Sequence, residues 1–354
     1  MAIKTNFFAG ANSGNGFQNL FSDILDLEEA KDLLVLKGGA GVGKNTFMRE
    51  IGRTMEEAGT EVEYLWCSGD PGSLDGVVLP KLKCAVVDGT APHIVNLKYP
   101  VAVDRYVDLG RFYDLAGVKA MAEEVRLQTK AYQKSYREAC RGLKAARQVE
   151  LESVSWMADS QMAQRLDRRI DGIIDRELRK GTEQGKVTRR FLGGFTHAGW
   201  VWRFDSVDTL CPRVYVLEDR WERSGKVLQK LRKAATGRGW NVIACVSPED
   251  PERLEHLLIP GLGLGFVTSK PGMQYEGKPF RRIRVDAMEK SKDQGRLRLH
   301  ARMASMLRED AKTCLQEAKA QHDELEQLLH PYVDFDGVMA LAAIESGRLL
   351  SYMD

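Results

Sequence analysis

Leu33-Leu34-Val35-Leu36-Lys37-Gly38-Gly39-Ala40-Gly41-Val42-Gly43-Lys44-Asn45-Thr46 decides how the rest of the chain is read. Its unbroken apolar start marks a strand buried on both faces. A glycine-rich turn follows, then an amphipathic helix from Lys44 to about Ala58, which Gly59 can cap. Gly38 to Lys44 fit the GxxxxGK spacing of a phosphate-binding loop (Walker A), between a strand and a helix as that loop requires. Glycines let backbone N–H groups turn inward around phosphate oxygens, the helix N-terminus adds positive potential, and the lysine reaches the β- and γ-phosphates. The competing reading is a glycine-rich turn that binds nothing. It is disfavoured because strand, loop, lysine and helix come in order.

One position departs from the pattern. A Ser or Thr hydroxyl normally follows the lysine and binds Mg²⁺; here Asn45 follows, with Thr46 next. Asn45 offers a carbonyl oxygen, a weaker metal ligand, and Thr46 suits the α-phosphate. Further on, Cys84-Ala85-Val86-Val87-Asp88 reads as a neighbouring buried strand ending in a carboxylate for Mg²⁺. Gly89 follows Asp88 where many motor ATPases carry a water-activating Glu. Asp70, Ser68 and Asp75 are candidates for positioning metal-bound water or an acceptor, against a plainer reading as turn and cap residues. His93 reads first as a structural histidine and second as a phosphate contact. Cys67 reads first as a strand-end residue and second as a redox thiol. The expected site is therefore Gly38, Gly39, Ala40, Gly41, Val42, Gly43, Lys44, Asn45 and Thr46 for nucleotide, with Asn45, Thr46, Asp88 and Asp70 for metal. Lys44 and Asp88 carry the catalysis.

Val62–Trp66 and Cys84–Val87 are further strands, and strands alternating with helices predict a parallel α/β sheet. From about Leu115 to Lys180 apolar residues step by three, four or seven, which predicts helical hairpins packing on the sheet or on each other; a coiled-coil partner site is the sharper alternative. The chain then repeats itself. Phe7-Phe8-Ala9-Gly10 is echoed by Phe191-Leu192-Gly193-Gly194, and Asp70-Pro71 with Leu79-Pro80 by Asp250-Pro251 with Ile259-Pro260, at an offset near 180 that falls to 174 in the helical stretch. The expected fold is α/β: two tandem P-loop NTPase-like domains with parallel sheets, 1–188 and 189–354, each followed by a helical hairpin segment.

The second copy is worn. Lys44, Asn45 and Thr46 fall on Ser224, Gly225 and Lys226, the loop reads Glu218-Asp219-Arg220-Trp221-Glu222-Arg223, and Asp88 falls on Thr268. Bulky and acidic side chains stand where glycine backbone should wrap an anion. Arg165, Arg168, Arg169, Arg176 and Arg179, or Arg281, Arg282 and Arg284, are candidates to reach a γ-phosphate, against the plainer reading as solvated faces.

Composition narrows the remaining classes. Lys+Arg is 52 and Asp+Glu is 50, a net charge of +2, which gives no general case for a nucleic-acid or membrane coat. Six scattered cysteines without a CxxC pair read as reduced thiols. Neither a signal peptide nor a membrane span is apparent, so a cytoplasmic location is expected. Basic and aromatic residues do not interleave as nucleic-acid binding requires. A protein partner or homo-oligomer through the helical segments stays open.

These residues resemble a family of uncharacterised bacterial proteins with tandem P-loop ATPase-like halves. Its members carry FFAGG-like openings, a GGPGTGKST-like loop, a CSSD…SLDG segment and a VDGTAPH segment. The matching residues are Phe7-Phe8-Ala9-Gly10, Gly38 to Lys44, Cys67-Ser68-Gly69-Asp70 with Ser73-Leu74-Asp75-Gly76, and Val87-Asp88-Gly89-Thr90-Ala91-Pro92-His93. The resemblance implies ATP binding and ATPase activity. The family's second half is often another intact P-loop, and that is lost here. The leading expectation is a Mg²⁺-dependent slow ATPase with one nucleotide site and a regulatory or scaffold second half. Alternatives are a nucleotide-kinase-like phosphotransferase and a non-catalytic nucleotide-dependent switch.

Overall fold

The computed structural model describes residues 3–155, 162–181, 184–286 and 293–353. Strand β1 (Lys4–Phe7) leads to the hairpin of β2 (Gly10–Ser13) and β3 (Gly16–Asn19), then β4 (Asp32–Lys37), helix α1 (Lys44–Glu57), β5 (Val62–Trp66), β6 (Leu74–Leu79), β7 (Cys84–Asp88) and β8 (Asp104–Asp108). Helices α2 (Leu115–Ala120), α3 (Ala122–Ser155) and α4 (Met162–Glu177) follow. The second round runs β9 (Val187–Arg190), β10 (Gly193–Thr196), β11 (Gly199–Trp202), α5 (Phe204–Leu210), β12 (Arg213–Glu218), α6 (Ser224–Gly237), β13 (Val242–Ser247), β14 (Asp250–Ile259), β15 (Leu264–Ser269) and β16 (Arg281–Arg284). It closes with α7 (Gln294–Leu329) and α8 (Phe335–Leu350). The expected division between residues 188 and 189 falls inside β9. No helix among the described residues is long and apolar enough to cross a membrane.

The two six-stranded sheets share one strand order: β1-β5-β6-β7-β4-β8 in the first and β9-β13-β14-β15-β12-β16 in the second. In each, the third strand runs antiparallel to both neighbours and the remaining pairings are parallel. The expectation of parallel sheets is thus corrected to mixed ones. The cause is local: the Asp70–Ser73 turn, closed by Ser73 N–H on the Asp70 carbonyl at 2.8 Å, reverses the chain just after β5. A strand that returns through a tight turn pairs antiparallel, because a parallel return needs a long crossover.

Equivalent residues of the two rounds meet at the centre. Phe8 and Phe191 exchange backbone hydrogen bonds, 2.9 Å in each direction. With the matching hairpins on either side, this sets the local offset at 183, so Phe191 corresponds to Phe8 and not to Phe7. Phe8 and Phe191 are fully buried in a core they share with Tyr215 and Leu257, and Phe7 and Leu192 join a second shared core.

The long helices of the two rounds pair with each other. α3 and α7 lie antiparallel, from Gln128 bonded to Glu324 at one end to Arg296 bonded to Glu152 at the other. This corrects the expected hairpin within each half. Small and apolar residues, Ala139 and Leu143 on α3 and Ala311 and Leu315 on α7, close a common buried seam between the two helices. The outer helices follow suit. α4 buries Ile170, Ile173 and Ile174 in the second sheet's core, while α8 buries Val338, Ala342 and Leu349 in the first sheet's core with Phe47 and Ile51 of α1. Each round therefore completes the other.

Candidate functional site

Parallel pairing of β4 with β7 sets Leu36 beside Asp88. The chain leaves β4 through Gly38–Gly43 and enters α1 at Lys44. Gly41 (φ +75°) and Gly43 (φ +90°) occupy the left-handed region that glycine alone adopts without strain. Lys44 turns back over the loop, its Nζ donating to the carbonyls of Gly38 (3.0 Å) and Gly39 (2.9 Å) and lying 3.8 Å from Asp88 Oδ2. Asp88 Oδ1 accepts the Thr90 N–H at 2.7 Å, and Thr90 Oγ1 donates to the Gly38 carbonyl at 3.0 Å. Loop, lysine and aspartate come together, as their spacing predicts.

Two of the other expected metal ligands, Asn45 and Asp70, are engaged elsewhere. Asn45 Oδ1 accepts from the Leu74 N–H and from Arg49 Nε, both at 3.1 Å, and so ties α1 to β6. Thr46 is exposed in the first turn of α1. Asp70 accepts from Gly72 N–H (3.0 Å) and Ser73 Oγ (2.9 Å) and lies 3.5 Å from Lys319 of α7. Partial burial works against its charge, but the turn hydrogen bonds and Lys319 outweigh that and hold the carboxyl below its ordinary value.

His93 is a core residue. Its ring sits 4.9 Å from that of Phe17 and 5.1 Å from that of Phe21, with Nδ1 3.2 Å from the Thr90 carbonyl and Nε2 3.2 Å from Asp75 Oδ2. Burial disfavours the imidazolium, yet Asp75 and Asp88 overcome it and raise the pKa. For Cys67, burial and then the Asp75 charge push the thiol well above its usual range, which suppresses the thiolate a redox role needs.

Several residues at the loop come from far along the chain. Glu326 of α7 reaches Gly41, whose N–H donates to its Oε1 at 3.2 Å. Tyr113 donates its hydroxyl to the Ala40 carbonyl at 2.6 Å. A Cβ at Gly41 would stand 3.0 Å from the His330 ring and 3.2 Å from the Glu326 main chain, while Phe335 and Val338 of α8 line Gly43. No spacing in the sequence links these positions to the loop; α7 and α8 bring Glu326, His330, Phe335 and Val338 there, and Tyr113 arrives from the turn that follows β8.

The matching loop of the second round is one residue shorter, with 219–223 replacing 38–43. Glu222 (φ +58°) takes a left-handed position there. Asp219 Oδ1 accepts the N–H groups of Trp221 (3.1 Å) and Arg223 (3.0 Å), and Oδ2 accepts that of Ser224 (2.6 Å). The loop's own carboxylate thus holds the amides at the start of α6. Thr268, in the place of Asp88, donates to the Glu255 carbonyl at 2.6 Å. The arginine candidates sit on α4, just past its end (Arg179) and on β16 at the second sheet: Arg282 and Arg284 flank Glu218 at 3.5 and 3.3 Å, and Arg169 donates to the Arg282 carbonyl at 3.5 Å. The Arg165 side chain lies outside the described residues.

Comparison with protein-family models, with curated proteins and with solved structures finds no match for this chain.

Proposed function

We propose that the first round is a P-loop unit that binds one nucleoside triphosphate, ATP by its likeness to the tandem ATPase-like family, and hydrolyses it slowly. One observation carries the reading: the Gly41 N–H already donates to an anion, the Glu326 carboxylate, inside a GxxxxGK loop that opens a helix. The residues suit the triphosphate as follows. Loop amides take phosphate oxygens, and Lys44 exchanges the Gly38 and Gly39 carbonyls for the β- and γ-phosphates.

The donor set fits a metal at Asp88, whose Oδ2 faces Lys44 across the loop. It does not fit one at Asn45, whose oxygen is spent on Leu74 and Arg49, or at Asp70, which is committed to its turn and to Lys319. Mg²⁺ held at Asp88 would neutralise phosphate charge. Gly89 beside Asp88 supplies no base for the attacking water, which favours slow turnover.

A second reading, a nucleotide-controlled switch, is favoured by the same Glu326 contact. An incoming phosphate displaces a residue of α7, and the far end of that 36-residue helix meets Glu152 of α3 through Arg296. Measuring ATP affinity together with ADP production separates the two. Affinity with turnover supports the ATPase, affinity without turnover supports the switch, and no affinity removes both.

A further inference from the structure

A cavity of about 600 Å³ opens at the carboxyl ends of the second sheet's parallel strands, within the 300–1,000 Å³ range of small-molecule sites. Ser247 ends β13, Lys270 follows β15 and Trp221 follows β12, and all three line it. Open α/β sheets bind ligands at that edge. The far wall is α7, with Ala301 and Arg308, and the end of α3.

The lining has two characters. Trp200 and Trp202 stack with ring centres 5.1 Å apart and planes 13° apart, Phe195 meets Trp200 edge-on at 5.4 Å, and Trp221 also lines the cavity. The charged residues of the lining pair off. Arg147 clamps Glu222 at 2.7 and 2.8 Å, Lys270 stands 3.4 Å from Glu255, and Arg308 donates to Glu249 at 2.9 Å. Such charges are costly to bury where apolar side chains would pack as well, so a role in binding explains their presence. Burial opposes the charge on Glu222, but the cations around it pull its pKa down to about 2.

These features exclude two ligand classes. A polyphosphate meets the carboxylates of Glu222, Glu249 and Glu255 on the lining, beside three amides that the loop's own Asp219 holds at once, and a bare cation meets Lys270 and Arg308. We propose that this cavity is a second small-molecule site, taking an uncharged flat heteroaromatic ring with donors and acceptors on its edge, the chemistry of a nucleoside without phosphates. Trp200 stacks on the ring, with Trp202 behind it held in turn against Phe204, while carboxylates accept from and cations donate to the ring's edge. The site does not depend on the nucleotide reading of the first round.

The test titrates the full chain with adenosine, guanosine, cytidine and uridine, followed by tryptophan fluorescence and calorimetry. One saturable site per chain is expected for at least one of the four. Ala301→Trp adds bulk from the exposed α7 side of the cavity, and should weaken binding about ten-fold or more with thermal melting unchanged; Trp200→Ala should weaken it similarly by removing stacking. Binding by none of the four overturns the proposal. So does binding that persists unchanged in both variants, which would place the ring elsewhere on the chain.

Discussion

Glu326 and Gly41, 285 positions apart in the chain, meet with carboxylate oxygen and amide nitrogen 3.2 Å apart. A phosphate entering the loop competes with that carboxylate for the same N–H. Glu326→Gln keeps the shape and removes the charge, so ATP affinity should rise about ten-fold, the worth of a charge-assisted hydrogen bond. Calorimetry on the two proteins decides it; equal affinities would mean that α7 and the phosphate do not compete.

Lys44→Ala removes the cation that faces the loop carbonyls and leaves the core untouched. ATP binding should weaken by about ten-fold or more while the melting temperature stays put. Lys226→Ala should change nothing, because the loop before α6 is closed by its own Asp219. A titration showing two triphosphates per chain would contradict this asymmetry.

Asp88→Asn takes away a charge and keeps a hydrogen-bonding oxygen for Thr90. Mg²⁺-dependent ADP release should fall further than metal-free ATP binding; an equal fall would make Asp88 structural. Asn45→Ser restores a hydroxyl and should speed Mg²⁺-dependent turnover. It also severs the tie to Leu74, at a cost of about 1 kcal/mol of stability. Kinetics across Mg²⁺ concentrations and a melting curve read the two effects separately, and no acceleration at any concentration would clear Asn45 of limiting the rate.

Glu222 has its carboxyl brought down from 4.5 to about 2, burial being outweighed by Arg147, Arg253 and Lys270. A folded-state pKa below the unfolded one means its stabilisation is complete above about pH 4.5 and is lost as pH falls toward 2. The wild-type acid-unfolding curve should therefore steepen in that window. Glu222→Gln should lose the slope there and be less stable at neutral pH, since Arg147 loses its two charge-assisted hydrogen bonds and keeps only Glu150 at 3.9 Å and Glu249 at 4.0 Å. Parallel acid slopes for the two proteins would show that the pairing does not survive in solution.

The strand, the glycine loop, Lys44 and Asp88 were legible because each follows from neighbours in sequence: an apolar run, two left-handed glycines, a helix start and a carboxylate ending the next buried strand. β6 was not, since Leu74–Leu79 follows an evident turn and its antiparallel direction depends on that turn's closure. The partners of the long helices were hidden for another reason. A stripe of small and apolar residues says that a helix has a neighbour, and says nothing of which. One clue lay in plain view. Asp114…Gly117-Val118 and Asp334…Gly337-Val338 echo each other, and in the fold Asp114 N–H donates to the Tyr332 carbonyl as Asp334 N–H does to that of Phe112.

The packing of α8 against α1 governs the order in which the protein can mature. Val338, Ala342 and Leu349 finish a core whose other members, from Leu34 to Leu109, are synthesised more than two hundred residues earlier. The usual habit of domains, to fold in turn as they leave the ribosome, is thus denied to this chain. Its nascent first sheet, with α1 on it, keeps the part of that core facing α8 open until residues 335–350 emerge, and the loop at Gly41 acquires its Glu326 neighbour only when α7 has been made.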